Sequence, residues 1–450
     1  MGKLFGTDGI RGVANEDLDI HLAMKVGQAV GIVIREEKGS APVFTIGKDT
    51  RLSGDMLESA IVAGLCASGA DVMVLGVVPT PAVAFITAQS KADAGIVISA
   101  SHNPFQDNGI KIFNGEGFKL SDELEGRIEE LVLSASPLPS LTCEKIGKVL
   151  RKNQDWVERY IDHLANAAEA PISGLKVFLD CSNGAAARTA SSLFSRFPLD
   201  LEIIKVNSNG VNINEQCGST DTSFLRRAVV SEGYDIGIAF DGDADRCIII
   251  DEKGNIVDGD HILGVCGLAM LREGRLQKNT IVATVMSNLG FHEFAKQNDI
   301  SLECTAVGDR NVLEKMLEGG YVLGGEQSGH LIFLDHATTG DGQLAAIKFL
   351  SVLTASGKRV SELVDEIPRY PQVLINVAVS GGNEAKAAIM ASERLRAAIS
   401  EEEAALAGKG RILVRPSGTE AKIRVMVEAP TEEVAQGAAE RLAEMIRLSS

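Results

Sequence analysis

Short apolar runs alternate with longer amphipathic segments along almost the whole chain. Residues 42–46 read as a strand, residues 72–75 as another. Between them, residues 55–68 read as a helix with Leu57, Ile61, Gly64 and Leu65 on one face. The rhythm restarts twice, with strand-like runs at 175–179, 201–206 and 235–240, then at 280–285, 301–305 and 321–324. Such βαβ alternation predicts mixed α/β layers. No sequence self-similarity links the three sets, so a repeat is an expectation from rhythm alone. Past Pro368 and Pro371 the order changes to a strand (373–379), a helix (383–399), two strands (411–414 and 422–428) and a helix (431–448). That order predicts a smaller α+β module.

Length and charge narrow the classes. A chain of 450 residues is too long for one core and suggests about three domains. Its net charge of −17 repels nucleic acid and anionic membranes, so an anionic substrate would need local arginines and lysines. Seven scattered cysteines without a CxxC pair fit reduced thiols, not a disulfide framework or zinc site. No run of about 18 apolar residues predicts a membrane span, and the first residues lack the apolar core of a signal peptide. A cytoplasmic protein is expected.

Chemistry concentrates in five polar, glycine-bearing loops. The run Asp241-Gly242-Asp243-Ala244-Asp245-Arg246 joins two strand-like segments. Aspartates at i, i+2 and i+4 in a turn can point one oxygen each at a common centre, a hard donor set that suits magnesium. An EF-hand loop is excluded because Arg246 stands where the turn glycine is needed and strands flank the loop. A phosphatase with Asp241 as nucleophile is an alternative, but it leaves the next loop without a role. There, Ile98-Ser99-Ala100-Ser101-His102-Asn103-Pro104 follows an apolar strand. Ser99 and Ser101 would share a strand face, with Ser101 nearer the exposed edge. The Ser101 hydroxyl can carry a phosphoryl group, His102 and Asn103 can donate to its oxygens, and Lys111 can neutralise charge or move a proton.

In the run Gly324–His330, Glu326 and Ser328 could bind sugar hydroxyls, although taken alone the run is better explained as a hairpin turn that needs glycine. Arg415-Pro416-Ser417-Gly418-Thr419-Glu420, with Arg424 beyond, has the make-up of a phosphate cradle. Gly6-Thr7-Asp8-Gly9-Ile10-Arg11-Gly12 has the same character, with Arg11 as its phosphate-seeking group. Five such loops spread over the chain argue for one shared cleft.

Taken together and in this order, the five runs resemble the α-D-phosphohexomutase superfamily over the full chain. The opening run and the loop 325–330 most resemble members acting on glucosamine phosphates. The resemblance implies four domains around a central cleft: three similar α/β domains (1–152, 153–253 and 254–368) and a smaller α+β C-terminal domain (369–450). It implies phosphoserine at Ser101, and magnesium bound by Asp241, Asp243 and Asp245 with a phosphate oxygen on Ser101. His102, Lys111, Arg11 and Arg246 would surround the transferring group, with Lys111 as the first candidate base and His102 behind it. Glu326 and Ser328 would read the sugar; Arg415, Ser417, Gly418 and Thr419, with Arg424, would hold the non-reacting phosphate. The implied reaction interconverts glucosamine 6-phosphate and glucosamine 1-phosphate through a hexosamine 1,6-bisphosphate, for amino-sugar and cell-wall precursors. Kinship also suggests a homodimer, and a hinge at Pro368–Pro371. Rivals are a phosphomannomutase or phosphoglucomutase of the same superfamily, and a non-catalytic sugar-phosphate sensor.

Overall fold

The computed structural model describes residues 4–6, 8–150, 154–380, 382–417 and 421–448. Gly418 and Thr419 of the expected phosphate cradle lie outside the described residues. Two compact bodies are present, residues 1–286 with 300–365, and residues 287–299 with 366–450.

Three sheets build the first body. The first contains β1 (Ile10–Val13), β2 (Val43–Lys48), β3 (Asp71–Val77), β4 (Ala94–Ile98), β5 (Asp107–Asn114) and β6 (Val149–Leu150), in the order β1-β5-β4-β2-β3-β6. The second contains β7 (Lys176–Asp180), β8 (Asp200–Ile204), β9 (Ile236–Phe240), β10 (Cys247–Asp251) and β11 (Ile256–Val257), in the order β11-β10-β9-β7-β8. The third contains β12 (Thr280–Thr284), β13 (Ser301–Thr305), β14 (Leu323–Gly325) and β15 (Leu331–Phe333), in the order β13-β12-β14-β15.

One arrangement recurs. The orders β5-β4-β2-β3, β10-β9-β7-β8 and β15-β14-β12-β13 are the same. In each, the middle pairs are parallel and the last hairpin is antiparallel. The repeat that rhythm alone suggested is therefore a repeat of topology. Its consequence is positional. The loops after β4, β9 and β14 each leave the carboxyl end of a parallel strand, where open α/β sheets bind ligands. They are the serine loop, the acidic loop and the glycine loop.

Burial explains the strands. All five residues of β4 are buried, as expected of a strand covered on both faces. Leu57, Ile61, Gly64 and Leu65, the apolar face read from the sequence, are all buried on the helix Gly54–Ala67. Among the described residues no helix is long and apolar enough to cross a membrane.

The second body carries a three-stranded antiparallel sheet of β16 (Gln372–Ala378), β17 (Arg411–Pro416) and β18 (Lys422–Glu428), in the order β16-β18-β17. The helix Glu432–Leu448 buries Ala435, Ala439, Leu442 and Ile446 in one core with Val425 and Val427. The single helix expected at 383–399 is two, Gly382–Ala391 and Glu393–Leu406, because Ser392 adopts an extended backbone (ψ 127). Apolar residues stay buried on both sides of the break, at Ile389 and Leu395, so the periodicity hides it.

A partly buried polar cluster ties one helix of the first body to two loops. Lys348 on the helix Gly342–Ser356 donates to Glu169 Oε1 at 2.5 Å and approaches His336 Nε2 at 2.9 Å. Burial first, and the Lys348 ammonium second, push the His336 ring down to about 4. Between pH 6.5 and 4 the unfolded chain therefore binds more protons at this ring than the folded one. Stability from the neutral ring is complete above about pH 6.5 and is lost as pH falls towards 4. His336→Gln keeps an acceptor for Lys348 and cannot titrate. Its thermal midpoint should fall less steeply than wild type over that window; parallel profiles would show that His336 contributes nothing.

Candidate active site

β4 stops at Ile98, and Ser101 turns back with φ +50. A residue with a Cβ enters that left-handed region at a cost on the order of 1–2 kcal/mol, so its surroundings must hold it. Ser101 is thus neither on a strand face with Ser99 nor at an exposed edge. It is 1% exposed, because the acidic loop after β9 covers it. Its Oγ donates to Asp241 Oδ2 at 2.6 Å, and His102 Nδ1 lies 3.2 Å from the serine Oγ.

The acidic loop links β9 to β10 as a tight turn with Ala244 at φ +59. Its glycine is required by close approach, since a Cβ on Gly242 would lie 2.6 Å from the Ser101 carbonyl oxygen. Thr80, opening the helix Thr80–Ser90, donates its backbone N–H to the Asp243 carbonyl (2.9 Å) and its hydroxyl to Asp243 Oδ2 (2.7 Å).

Three carboxylates meet here. One oxygen each of Asp241, Asp243 and Asp245 lies within 4.8 Å of the others, and all three residues are buried. Burial, then Asp245 and Asp243, push the Asp241 carboxyl well above the usual carboxylate range. Burial also opposes charge on Asp245, but Lys111, His330 and Arg246 outweigh it and hold that carboxyl below its ordinary value. Oδ1 of Asp243 and Oδ1 of Asp245 are buried without a hydrogen-bond partner. Two orphaned carboxylate oxygens beside a third carboxylate fit a divalent cation, which would relieve their repulsion.

Cationic groups ring the trio. Lys111 on β5 reaches Asp243 at 3.1 Å, Asp8 at 3.2 Å and Asp245 at 3.5 Å. Burial opposes its charge, yet these carboxylates raise the amine well above its ordinary value and keep it an ammonium. His102 is pushed down to about 4, by burial and then by Arg246 and Arg11, so its ring is neutral. Arg11 on β1 pairs with Asp8. The Arg246 backbone N–H donates to Asp241 Oδ1 at 3.1 Å.

The glycine loop joins the same centre. Arg246 bridges to His330, whose Nδ1 lies 3.6 Å from Asp245. Gly329, at φ +92, packs so closely that a Cβ would lie 2.3 Å from the Cys247 carbonyl oxygen. Glu326 Oε1 accepts from the Gly308 N–H at 3.1 Å, and Ser328 is exposed. The first body thus brings Ser101, His102, Lys111, Arg11, the three aspartates and Arg246 to one centre, with the Glu326 loop against it.

Sequence reasoning missed Asp8, Thr80 and His330 in this centre. Asp8 and His330 lie inside runs already singled out for their glycines. Thr80 carried no signal, since it acts by capping a partner from another domain.

In the second body, Arg415 on β17 and Arg424 on β18 are direct cross-strand partners. Two guanidiniums so placed offer donors that one anion could bridge. Ser417 is buried, with its carbonyl accepting from Lys386 at 2.7 Å.

Comparison with known proteins adds independent findings. Models of the phosphoglucomutase/phosphomannomutase family match in chain order, alpha/beta/alpha domain I over residues 2–138, domain II over 158–254, domain III over 258–370 and the C-terminal domain over 374–445. Phosphoglucosamine mutase of Brevibacillus brevis is 48% identical over 449 residues, covering 99% of each chain. That of Geobacillus thermodenitrificans is 49% identical over 450 residues, again covering 99% of each. A phosphoglucomutase/phosphomannomutase family protein of Burkholderia thailandensis has a TM-score of 0.80 at 23% identity, covering 98% of this chain and 97% of its own. Aspergillus fumigatus N-acetylphosphoglucosamine mutase, solved with GlcNAc-6P and magnesium, has a TM-score of 0.71 at 20% identity, covering 99% and 96%. The likeness to these two structures is one of fold.

The carboxylate trio can be tested directly. Asp245→Asn removes one charged donor and should weaken Mn2+ binding at least about 10-fold, read by electron paramagnetic resonance. Equal affinity in the folded variant would exclude Asp245 as a ligand.

Proposed function

This chain belongs to the phosphoglucomutase/phosphomannomutase family, and on that premise we propose that it interconverts glucosamine 6-phosphate and glucosamine 1-phosphate. The observation that carries the reading is the buried Ser101 hydroxyl, 2.6 Å from Asp241 and ringed by Lys111, Arg246 and His102. The amino-sugar assignment follows the relatives of about half identity over their full length. In this reading the enzyme works in the cytoplasm as a homodimer and supplies amino-sugar nucleotide and cell-wall precursors.

Ser101 carries the phosphoryl group. The bond from phosphorus to Ser101 Oγ breaks as a bond forms to the free hydroxyl oxygen of the sugar. A hexosamine 1,6-bisphosphate results, reorients, and returns its other phosphoryl group to Ser101 Oγ. On the return step the serine proton passes to His102, whose neutral ring stands 3.2 Å away. On the forward step the sugar hydroxyl gives its proton to the same ring, which hands it on to Ser101 Oγ as that oxygen leaves phosphorus; on the return step the ring likewise hands the serine proton to the departing sugar oxygen. Lys111, kept as an ammonium by its carboxylates, stabilises charge on the phosphoryl oxygens and is less suited to be the base. Magnesium held by Asp241, Asp243 and Asp245 would neutralise charge on the same oxygens. Glu326 and Ser328 bind sugar hydroxyls, while Arg415, Ser417, Gly418, Thr419 and Arg424 bind the phosphate that is not reacting. A hinge at Pro368–Pro371 permits the bisphosphate to turn.

An aspartyl phosphatase is the weaker reading. Both oxygens of Asp241 are engaged, one by Ser101 Oγ and one by the Arg246 N–H. A nucleophile needs one aimed at substrate.

Ser101→Ala should cut turnover of glucosamine 6-phosphate by at least about 10³-fold, with binding of the sugar phosphate retained by calorimetry. Near-wild-type turnover would remove Ser101 from the mechanism. Arg415→Ala should raise KM by about 10-fold or more, the worth of a charge-assisted hydrogen bond, with a smaller change in kcat; an unchanged KM would discredit the cradle. Rates with glucose and mannose phosphates should fall below those with glucosamine phosphates. The reverse order would assign the chain to the phosphoglucomutase or phosphomannomutase activity.

A further inference from the structure

Beneath the serine loop lies a buried polar network that the reaction just described does not use. Asp49 and Arg51 follow β2, and both side chains are fully buried. A guanidinium has five N–H donors, and Arg51 spends all of them within this network. Nε donates to Asp49 Oδ2 at 2.9 Å. Nη1 donates to the carbonyls of Pro104 and, at 3.0 Å, of Asp107. Nη2 donates to the carbonyls of Ser101 at 2.8 Å and Asn103 at 2.9 Å. Four backbone carbonyls of one loop are therefore gathered on one planar group.

The other end of Ser101 is fixed too. Its N–H donates to Ser99 Oγ at 2.9 Å, and Ser99 Oγ donates to Asp49 Oδ2 at 2.6 Å. A second grip comes from the second domain. Asn214 Nδ2 donates to the Ser101 carbonyl at 2.9 Å and to the Asn103 carbonyl at 3.1 Å. Both backbone groups of Ser101 are thus held, by partners from two domains, while its φ stays at +50. A left-handed non-glycine residue persists when its surroundings over-determine it.

We propose that Arg51, Ser99 and Asn214 are positioning residues for phosphoryl transfer, holding Ser101 in the left-handed turn that aims its Oγ at Asp241. Arg51 works through the carbonyls, Ser99 through the N–H. Asn214 makes the aim depend on the second domain, which also supplies Asp241. None of the three touches the reacting atoms. Their effect falls on kcat, since a nucleophile misplaced by about 1 Å costs about 10²-fold without loss of substrate contacts. The inference rests on the reading of Ser101 as phosphoryl carrier.

The test uses the full chain and variants that preserve the backbone. Asn214 itself sits at φ +58, so Asn214→Gly deletes the side chain without straining the backbone. Ser99→Ala removes one hydroxyl. Arg51→Lys keeps the charge beside Asp49 with fewer donors; should it fail to fold, the other two decide. For each, kcat and KM for glucosamine 6-phosphate, thermal midpoint and the rate at which intact mass gains one phosphoryl group from glucosamine 1,6-bisphosphate are measured. The expected result is a 10- to 100-fold fall in kcat and in phosphoryl uptake, with KM within about two-fold and the midpoint near wild type. Wild-type kcat in folded Asn214→Gly and Ser99→Ala, or losses that merely follow the unfolded fraction, would overturn the inference. If the wild-type chain itself gains no phosphoryl group, the carrier reading fails and the inference falls with it. If wild type and variants gain it equally fast, only the inference fails.

Discussion

The hydrogen bond from the Ser101 hydroxyl to Asp241 Oδ2 joins two domains at the point where three buried carboxylates converge. Unit charges about 5 Å apart repel by roughly 3–4 kcal/mol at an effective dielectric of about 20. That repulsion is the constraint around which the centre is arranged. Lys111 answers Asp243 and Asp245, and the Arg246 N–H and the Ser101 hydroxyl answer Asp241. The Ser101 hydroxyl is thereby placed beside the carboxylates whose repulsion a divalent cation would relieve.

Repetition of topology puts the parts within reach of one another. The serine loop, the acidic loop and the glycine loop are the same loop in three equivalent hairpins, β4–β5, β9–β10 and β14–β15. Each leaves the carboxyl end of a parallel strand, and each presents different side chains there. Close approach then sets the finer geometry. Gly242 lets the acidic loop press on the Ser101 carbonyl, and Gly329 lets the glycine loop press on Cys247.

That the serine loop and the acidic loop belong to one centre was legible in the sequence because their residue types are rare in combination. Three aspartates alternating after an apolar strand, and a serine at the end of another, single out the two loops that the structure brings together. The strands and the buried face of the helix Gly54–Ala67 were legible from periodicity. The repeat was legible only as a rhythm and through the family resemblance, because hydrophobic strands of equal rank carry different side chains. The burial of Ser101 was not legible, since it depends on a loop 140 residues away. Arg51 was invisible for a different reason. It recognises backbone carbonyls, and backbone leaves no side-chain pattern to read. The break at Ser392 was hidden by apolar residues continuing on either side.

The central claim, that Ser101 is the covalent carrier beside the carboxylate trio, is tested most directly by locating the phosphoryl group. The full chain is equilibrated with glucosamine 1,6-bisphosphate, digested and mapped by tandem mass spectrometry. A single phosphoryl group on the peptide containing Ser101, assigned to that serine, is the predicted result. A phosphoryl group on Asp241, or none on any residue of a catalytically active sample, would contradict it.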